Sequence, residues 1–157
     1  MFGLNKDTPV VGKAETMVKR SSNDIFSFVG ANFIKNYPRW SPEVVDLKLL
    51  TDGSVKVGTQ CHQVRLDQGK RSESTFEVTV FQPGERICFE GISNPYRCDY
   101  VLNSDKQSSE SRISFTFELL KLELFMRPFE KLIRVAVQEG TEKTVINIKN
   151  LVESETD

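Results

Sequence analysis

Chemistry at neutral pH usually needs a group that titrates there, and this chain offers one histidine, His62. In its stretch, His62 is in phase with Gln60, Val64 and Leu66, whereas Cys61 is in phase with Thr59, Gln63 and Arg65. The apolar pair Val64 and Leu66 predicts that Gln60 and His62 face the interior and that Arg65 faces out. An inward His62 would orient a ligand carbonyl or serve as a general acid–base. No second residue at a recognisable spacing completes a dyad with it. Tyr96 and Tyr100 are in phase with Cys98 and Leu102, so their hydroxyls are expected to project into the same space and find a partner there. Cys61, Cys88 and Cys98 show no Cys-x-x-Cys spacing and read as buried, reduced thiols, which points to a cytoplasmic protein. With one His and no Cys/His cluster, no metal site is expected. Glu73, Glu77, Glu90, Asp99, Arg97 and Arg112 fall opposite the apolar residues of their stretches and read as a solvated face. Gly-rich phosphate loops and nucleophile motifs are absent, so no catalytic residue is assigned, His62 being the candidate only if the chain is an enzyme, and no cofactor is expected.

The elements that must position these groups can be read from composition and period. The 157 residues suit one domain, with a core from about residue 10 to 152. Twenty-one Lys and Arg against 22 Asp and Glu give a net charge of -1, a balance that gives no electrostatic reason to expect nucleic acid or an anionic membrane surface as a partner. No basic segment followed by an apolar run marks Met1–Asp7 as a signal peptide, and no window approaches the ~18 apolar residues of an integral membrane segment. Eleven phenylalanines supply material for an apolar interior.

Val10 to Arg20 reads as a first strand. Ser21 to Asp24 supplies N-cap candidates for the apolar set Ile25, Phe26, Phe28 and Val29, and after Gly30 a second short helix runs from Asn32 to Tyr37, ended by Pro38. From Val44 the period becomes two, in successive segments joined by turns such as Thr51–Ser54, Gln68–Lys70 and Gln82–Gly84. Phe76, Val78 and Val80 share one face, as do Ile87 and Phe89, and Ile113, Phe115, Phe117 and Leu119 alternate with Arg112, Ser114, Thr116 and Glu118. A polar loop from Asn103 to Glu110 precedes that last strand. One-sided alternation of this kind predicts an antiparallel meander with one covered and one wet face.

The cover must come from the C-terminal segment. Phe129, Leu132, Ile133, Ala136 and Val137 fall at helical spacing, and the line continues through Gly140, Thr144, Ile148 and Leu151. A competing reading ends the helix at Gly140 and makes Thr144 to Lys149 a strand. Under the helix reading the centre of the buried stripe, Ala136, Gly140 and Thr144, is small and leaves volume beneath the helix. Close helix–sheet packing would equally call for small residues there.

Strand, two short helices, six strands and a long helix is the order of the helix-grip fold, an α+β architecture. Trp40-Ser41-Pro42-Glu43-Val44, Asp52-Gly53, Val57-Gly58-Thr59, the run Glu77 to Ile87 and Phe89-Glu90-Gly91 resemble the polyketide cyclase/dehydrase and lipid-transport families of the START-like (SRPBCC) superfamily. The resemblance implies a curved antiparallel sheet of about seven strands around the C-terminal helix, with an apolar cavity between them. It further implies binding of a lipid, quinone or polyketide-like molecule there, and it sets Trp40 near the entrance. On that basis Phe76, Phe89, Phe115, Phe117, Phe129, Leu132, Ala136 and Gly140 are expected to supply apolar contacts. Gln60, His62, Tyr96 and Tyr100 would orient the ligand. A carrier is the leading expectation; a polyketide cyclase or dehydratase using His62, and a protein-interaction module, are the alternatives.

Overall fold

Ser21 opens the helical part of the chain as expected, its side chain accepting a hydrogen bond from the Asp24 amide at 3.1 Å. The computed structural model describes residues 9–104 and 109–155; the polar lead-in Met1–Asp7 and residues 105–108 of the polar loop lie outside the described residues. The strands are β1 (Val10–Val18), β2 (Val44–Leu49), β3 (Gln60–Asp67), β4 (Lys70–Gln82), β5 (Arg86–Gly91), β6 (Tyr96–Ser104) and β7 (Ser111–Leu119). They form one antiparallel sheet in the order β1-β7-β6-β5-β4-β3-β2. Between β1 and β2 lie α1 (Ser22–Phe26), a π-helical turn (Ser27–Ala31) and α2 (Phe33–Trp40). A 3₁₀ turn (Leu124–Phe129) leads into α3 (Glu130–Ser154).

Pro38 does not end α2, which continues two residues further. Pro38 has no N–H to give, but the turn closes around it, with the Ser41 amide donating to Tyr37 O at 3.0 Å. Continuing the helix keeps Tyr37 and Trp40 both buried. Their rings join Phe33, Phe76, Phe89 and Tyr100 in one aromatic cluster. Phe76 and Phe89 sit 4.3 Å apart by ring centroid, Phe33 packs at 5.3 Å from Phe89, and Trp40 at 5.7 Å from Tyr100. The short helices thus fill one part of the sheet's concave side.

A β-bulge between Val78 and Val80 resets the phase of β4. Val80 therefore pairs with Cys88 and leaves the face of Phe76 and Val78. Phe81 moves onto that face and meets Phe26 edge-on at 5.1 Å.

α3 runs without a break through Gly140, so the alternative strand at Thr144–Lys149 does not form. The helix lies against β1, an edge strand, and satisfies part of its free backbone at Lys13 and Met17. Gln138 brackets Lys13, accepting from its N–H at 3.1 Å and donating to its carbonyl at 2.9 Å. Lys149 Nζ donates to Met17 O at 2.7 Å, and Glu153 accepts from the Lys19 amide at 2.9 Å. Gly12 makes this approach possible: a Cβ there would stand 2.7 Å from Val137 Cγ1. The residues α3 buries are Thr141, Val145, Ile148 and Val152. The buried stripe is thus rotated from the expected one, and all of it lies beyond the first ten residues of the helix.

Candidate functional site

β3 positions the polar heart of the site, with the opposite face inward from the one expected. Partners across an antiparallel pair share a face. Cys61 pairs with the fully buried Phe76, Gln63 with Ser74 and Arg65 with Ser72, which sets Cys61, Gln63 and Arg65 on the concave side. Gln60 pairs with Glu77 and His62 with Thr75 on the convex side. There Gln60 Nε2 donates to Glu77 at 3.0 Å, and His62 lies 3.0 Å from Glu73 and 3.2 Å from Thr75 Oγ1. Hydrogen bonds from His62 and Arg71 lower the pKa of Glu73. The apolar markers misled because they sit on the convex side, where Val64 is buried and Leu66 is 45% exposed, while the inward residues of the strand are largely polar. A one-residue slip of phase exchanges every side chain between faces.

The inward polar groups form a continuous network. Tyr37 OH donates to Gln63 Oε1 at 3.0 Å, and Gln63 Nε2 donates to Tyr96 OH at 3.1 Å and to Ser74 Oγ at 3.2 Å. Arg65 donates from one terminal nitrogen to Tyr37 OH and Ser41 Oγ, both at 3.3 Å, and to Asp67 through Nε and the other terminal nitrogen. Glu43 lies 3.8 Å away. Burial pulls the Arg65 guanidinium downward, yet Tyr37, Asp67 and Glu43 more than offset this and hold it firmly charged. Burial pushes the Tyr37 phenol well up, and it raises Tyr96 to about 12. Cys98, buried between strands, is likewise pushed up and remains a thiol. These groups donate and accept hydrogen bonds at neutral pH, and none of them is poised to exchange a proton there.

Beside this network lies a cavity of about 1000 Å³ between the sheet, α2 and α3. Its walls include Trp40, Tyr96, Tyr100, Phe115, Phe117, Ala136 and Gly140 from the expected set, together with Tyr37, Gln63, Arg65 and Cys98. A Cβ on Gly140 would meet nothing within 4 Å, so the small-residue centre of α3 faces open space. Asn147 ties this part of α3 to the end of α2 by donating to Trp40 O at 3.0 Å, and Trp40 Nε1 donates to Tyr100 OH at 3.3 Å.

The remaining expected residues lie elsewhere. Phe76 and Phe89 are fully buried within the aromatic cluster rather than on the cavity wall, because α2 covers them. Phe129 and Leu132 are exposed, since the first turns of α3 extend past the part of the helix that packs on β1. Gln60 and His62 are on the far side of the sheet. Tyr37, Gln63 and Arg65 escaped the sequence reading because a polar residue on an inner face looks, in sequence, like a solvated one.

Several solved structures share this architecture. A Thermus thermophilus protein, TTHA0849, superposes with a TM-score of 0.74 at 17% identity, over 94% of this chain and 99% of its own. The Zhui aromatase/cyclase of Streptomyces sp. R1128 gives 0.76 at 9% identity, over 93% and 94%. Ginseng major latex-like protein 151 from Panax ginseng gives 0.64 at 13%, over 90% and 97%. The fold is the helix-grip fold. At these identities the likeness is one of fold, and function has to be argued from the cavity. No family model and no curated protein sequence matches the chain. Among the described residues no cluster of His, Cys, Asp and Glu could hold a metal ion, and no helix is long and apolar enough to cross a membrane.

Proposed function

We propose that this helix-grip protein is a cytoplasmic binding or carrier protein for a small, largely apolar molecule that bears an oxygen at one end. The observation that carries this reading is the cavity itself: about 1000 Å³ of space with Trp40, Tyr100, Phe115 and Phe117 among its walls, a hydrogen-bonding patch built from Tyr37, Gln63, Arg65 and Tyr96, and charged side chains such as Asp67, Lys70, Glu139 and Lys143 elsewhere on its lining. That division, apolar area for affinity and a few fixed polar groups for orientation, is the usual composition of a small-molecule site, and the volume lies at the large end of the range. Trp40, Tyr100, Phe115, Phe117, Ala136 and Gly140 would contact the apolar body. Arg65 would face the ligand oxygen, a charge-assisted contact of the stronger kind. The three buried free thiols suit a reducing compartment.

A lipid, a quinone or a polyketide-like molecule would each fit this description. The cyclase or dehydratase alternative has lost its expected acid–base, because His62 lies outside the cavity. It would have to rest on the phenols and Arg65, whose protonation is fixed near neutrality. The carrier reading is therefore preferred.

The test is titration with anilinonaphthalene sulfonate, followed by its displacement with a panel of fatty acids and quinones. Saturable binding is expected, abolished by Gly140→Phe, which places a ring in the open space, and unaffected by His62→Ala. Equal binding by Gly140→Phe and the parent chain would overturn the proposal.

A further inference from the structure

The connection from β7 into α3 carries apolar side chains that the fold does not use. Leu124, Phe125, Phe129 and Leu132 are 74, 69, 53 and 71% exposed, and Val135 is exposed as well. They continue one another along the surface: Phe125, Phe129 and Leu132 follow at spacings of four and three, and Leu132 and Val135 at three. The same segment also meets the fold, with Leu122 buried and Phe125, Met126 and Ile133 on the cavity wall. An exposed apolar stripe of this size on a chain otherwise rich in surface charge marks a contact surface.

Its charge says what the contact is. Lys121, Arg127, Lys131 and Arg134 stand against Glu123 and Glu130 over this stretch, an excess of two positive charges in a chain whose net charge is -1. Arg134 and Glu130 neutralise one another at 2.9 Å. Basic residues beside an outward stripe of Leu and Phe are the composition of a segment that lies in a lipid headgroup layer. A second copy of the chain fits less well, because a two-fold contact would set the same positive excess against itself. The stripe also adjoins the cavity, since Phe125 belongs to both.

We infer that the Leu124–Val135 segment docks on an anionic lipid bilayer, its leucines and phenylalanines entering the headgroup layer and its basic residues meeting the lipid phosphates. This goes beyond the carrier reading, and it would place the cavity mouth at the membrane surface.

Vesicle co-sedimentation tests it, comparing phosphatidylcholine alone with phosphatidylcholine containing phosphatidylglycerol. Binding is expected to the anionic vesicles only and to weaken with salt. Leu124→Ser with Leu132→Ser should lower partitioning roughly tenfold or more through lost apolar burial. Lys131→Glu should weaken it while leaving anilinonaphthalene sulfonate binding intact, because neither Lys131 nor the two leucines line the cavity. Gly140→Phe should still bind vesicles, so that failure of the carrier reading and failure of this one are separable. No binding to anionic vesicles, or binding indifferent to the paired leucine substitution, would overturn the inference. So would a concentration-dependent dimer that the same substitution dissolves.

Discussion

Tyr37, Tyr96 and Tyr100 are the only tyrosines of the chain, and all three are buried on the concave side of the sheet. Burial raises each phenol, Tyr96 to about 12 and Tyr37 and Tyr100 well above their ordinary value. A raised folded-state pKa favours the protonated form, so the stabilisation is fully present below the unfolded value of about 10. It is lost as pH rises from there through the folded value. Absorbance at 295 nm should therefore show no phenolate at pH 10 in the native protein, followed by a cooperative rise as the chain unfolds in alkali. An independent, non-cooperative titration of one or more tyrosines near pH 10 would contradict the buried network. At this scale the sequence is only partly legible. Tyr96 and Tyr100 are phased correctly because their strand alternates cleanly with Arg97 and Asp99. His62 and Gln60 are misphased because Gln63 and Arg65, charged or polar and yet inward, are paired with Tyr37, Ser41, Asp67, Ser74 and Tyr96. Side-chain polarity alone cannot register that pairing.

At the scale of the element, α3 is held by its second half and by one close approach. Gly12 on β1 and Gly140 on α3 make the contrast measurable. A Cβ at position 12 would crowd Val137 and the Thr141 methyl, so Gly12→Ala should destabilise the fold by about 1–3 kcal/mol. At Gly140 the backbone is helical and the space open, so Gly140→Ala should instead stabilise by about 1 kcal/mol, roughly 2–4 °C in Tm. Thermal denaturation of the two single variants decides it; a Gly140→Ala variant less stable than the parent would mean the helix is strained or crowded there. The long helix and its small-residue centre are legible from spacing. The rotation of its buried stripe is not, because Phe129 and Leu132 carry the same apolar signature whether they meet a sheet or stand exposed. The edge of β1, capped by Gln138 and Lys149, exists only once the strands are paired.

The molecule as a whole divides its concave side between a filled part and an open part. Phe33, Phe76, Phe89 and Trp40 close the filled part under α2, whereas the open part is roofed by the half of α3 that buries none of its residues. The meander and the helical cover follow from period-two alternation, turn residues and helical spacing, since those report local geometry, whereas the pairing of β1 with β7 is set by contacts about 100 residues apart, such as Val10 with Leu119. The boundary between core and cavity does not follow, because the same aromatic residues can pack on each other or line a void. Stability should be distributed accordingly. Amides of α3 from about Lys131 to Glu139 are held by helix bonds without buried side chains, so they should exchange with solvent deuterium well before those from Thr141 to Val152, which open only with the core. Saturation with anilinonaphthalene sulfonate should slow the first set more than the second, because Ile133, Ala136 and Val137 line the cavity and a bound molecule would give that half of the helix the contacts it lacks. Uniform protection along α3 in the free protein would mean that its first half is anchored as firmly as its second. The roof would then be rigid, and entry to the cavity would need another route.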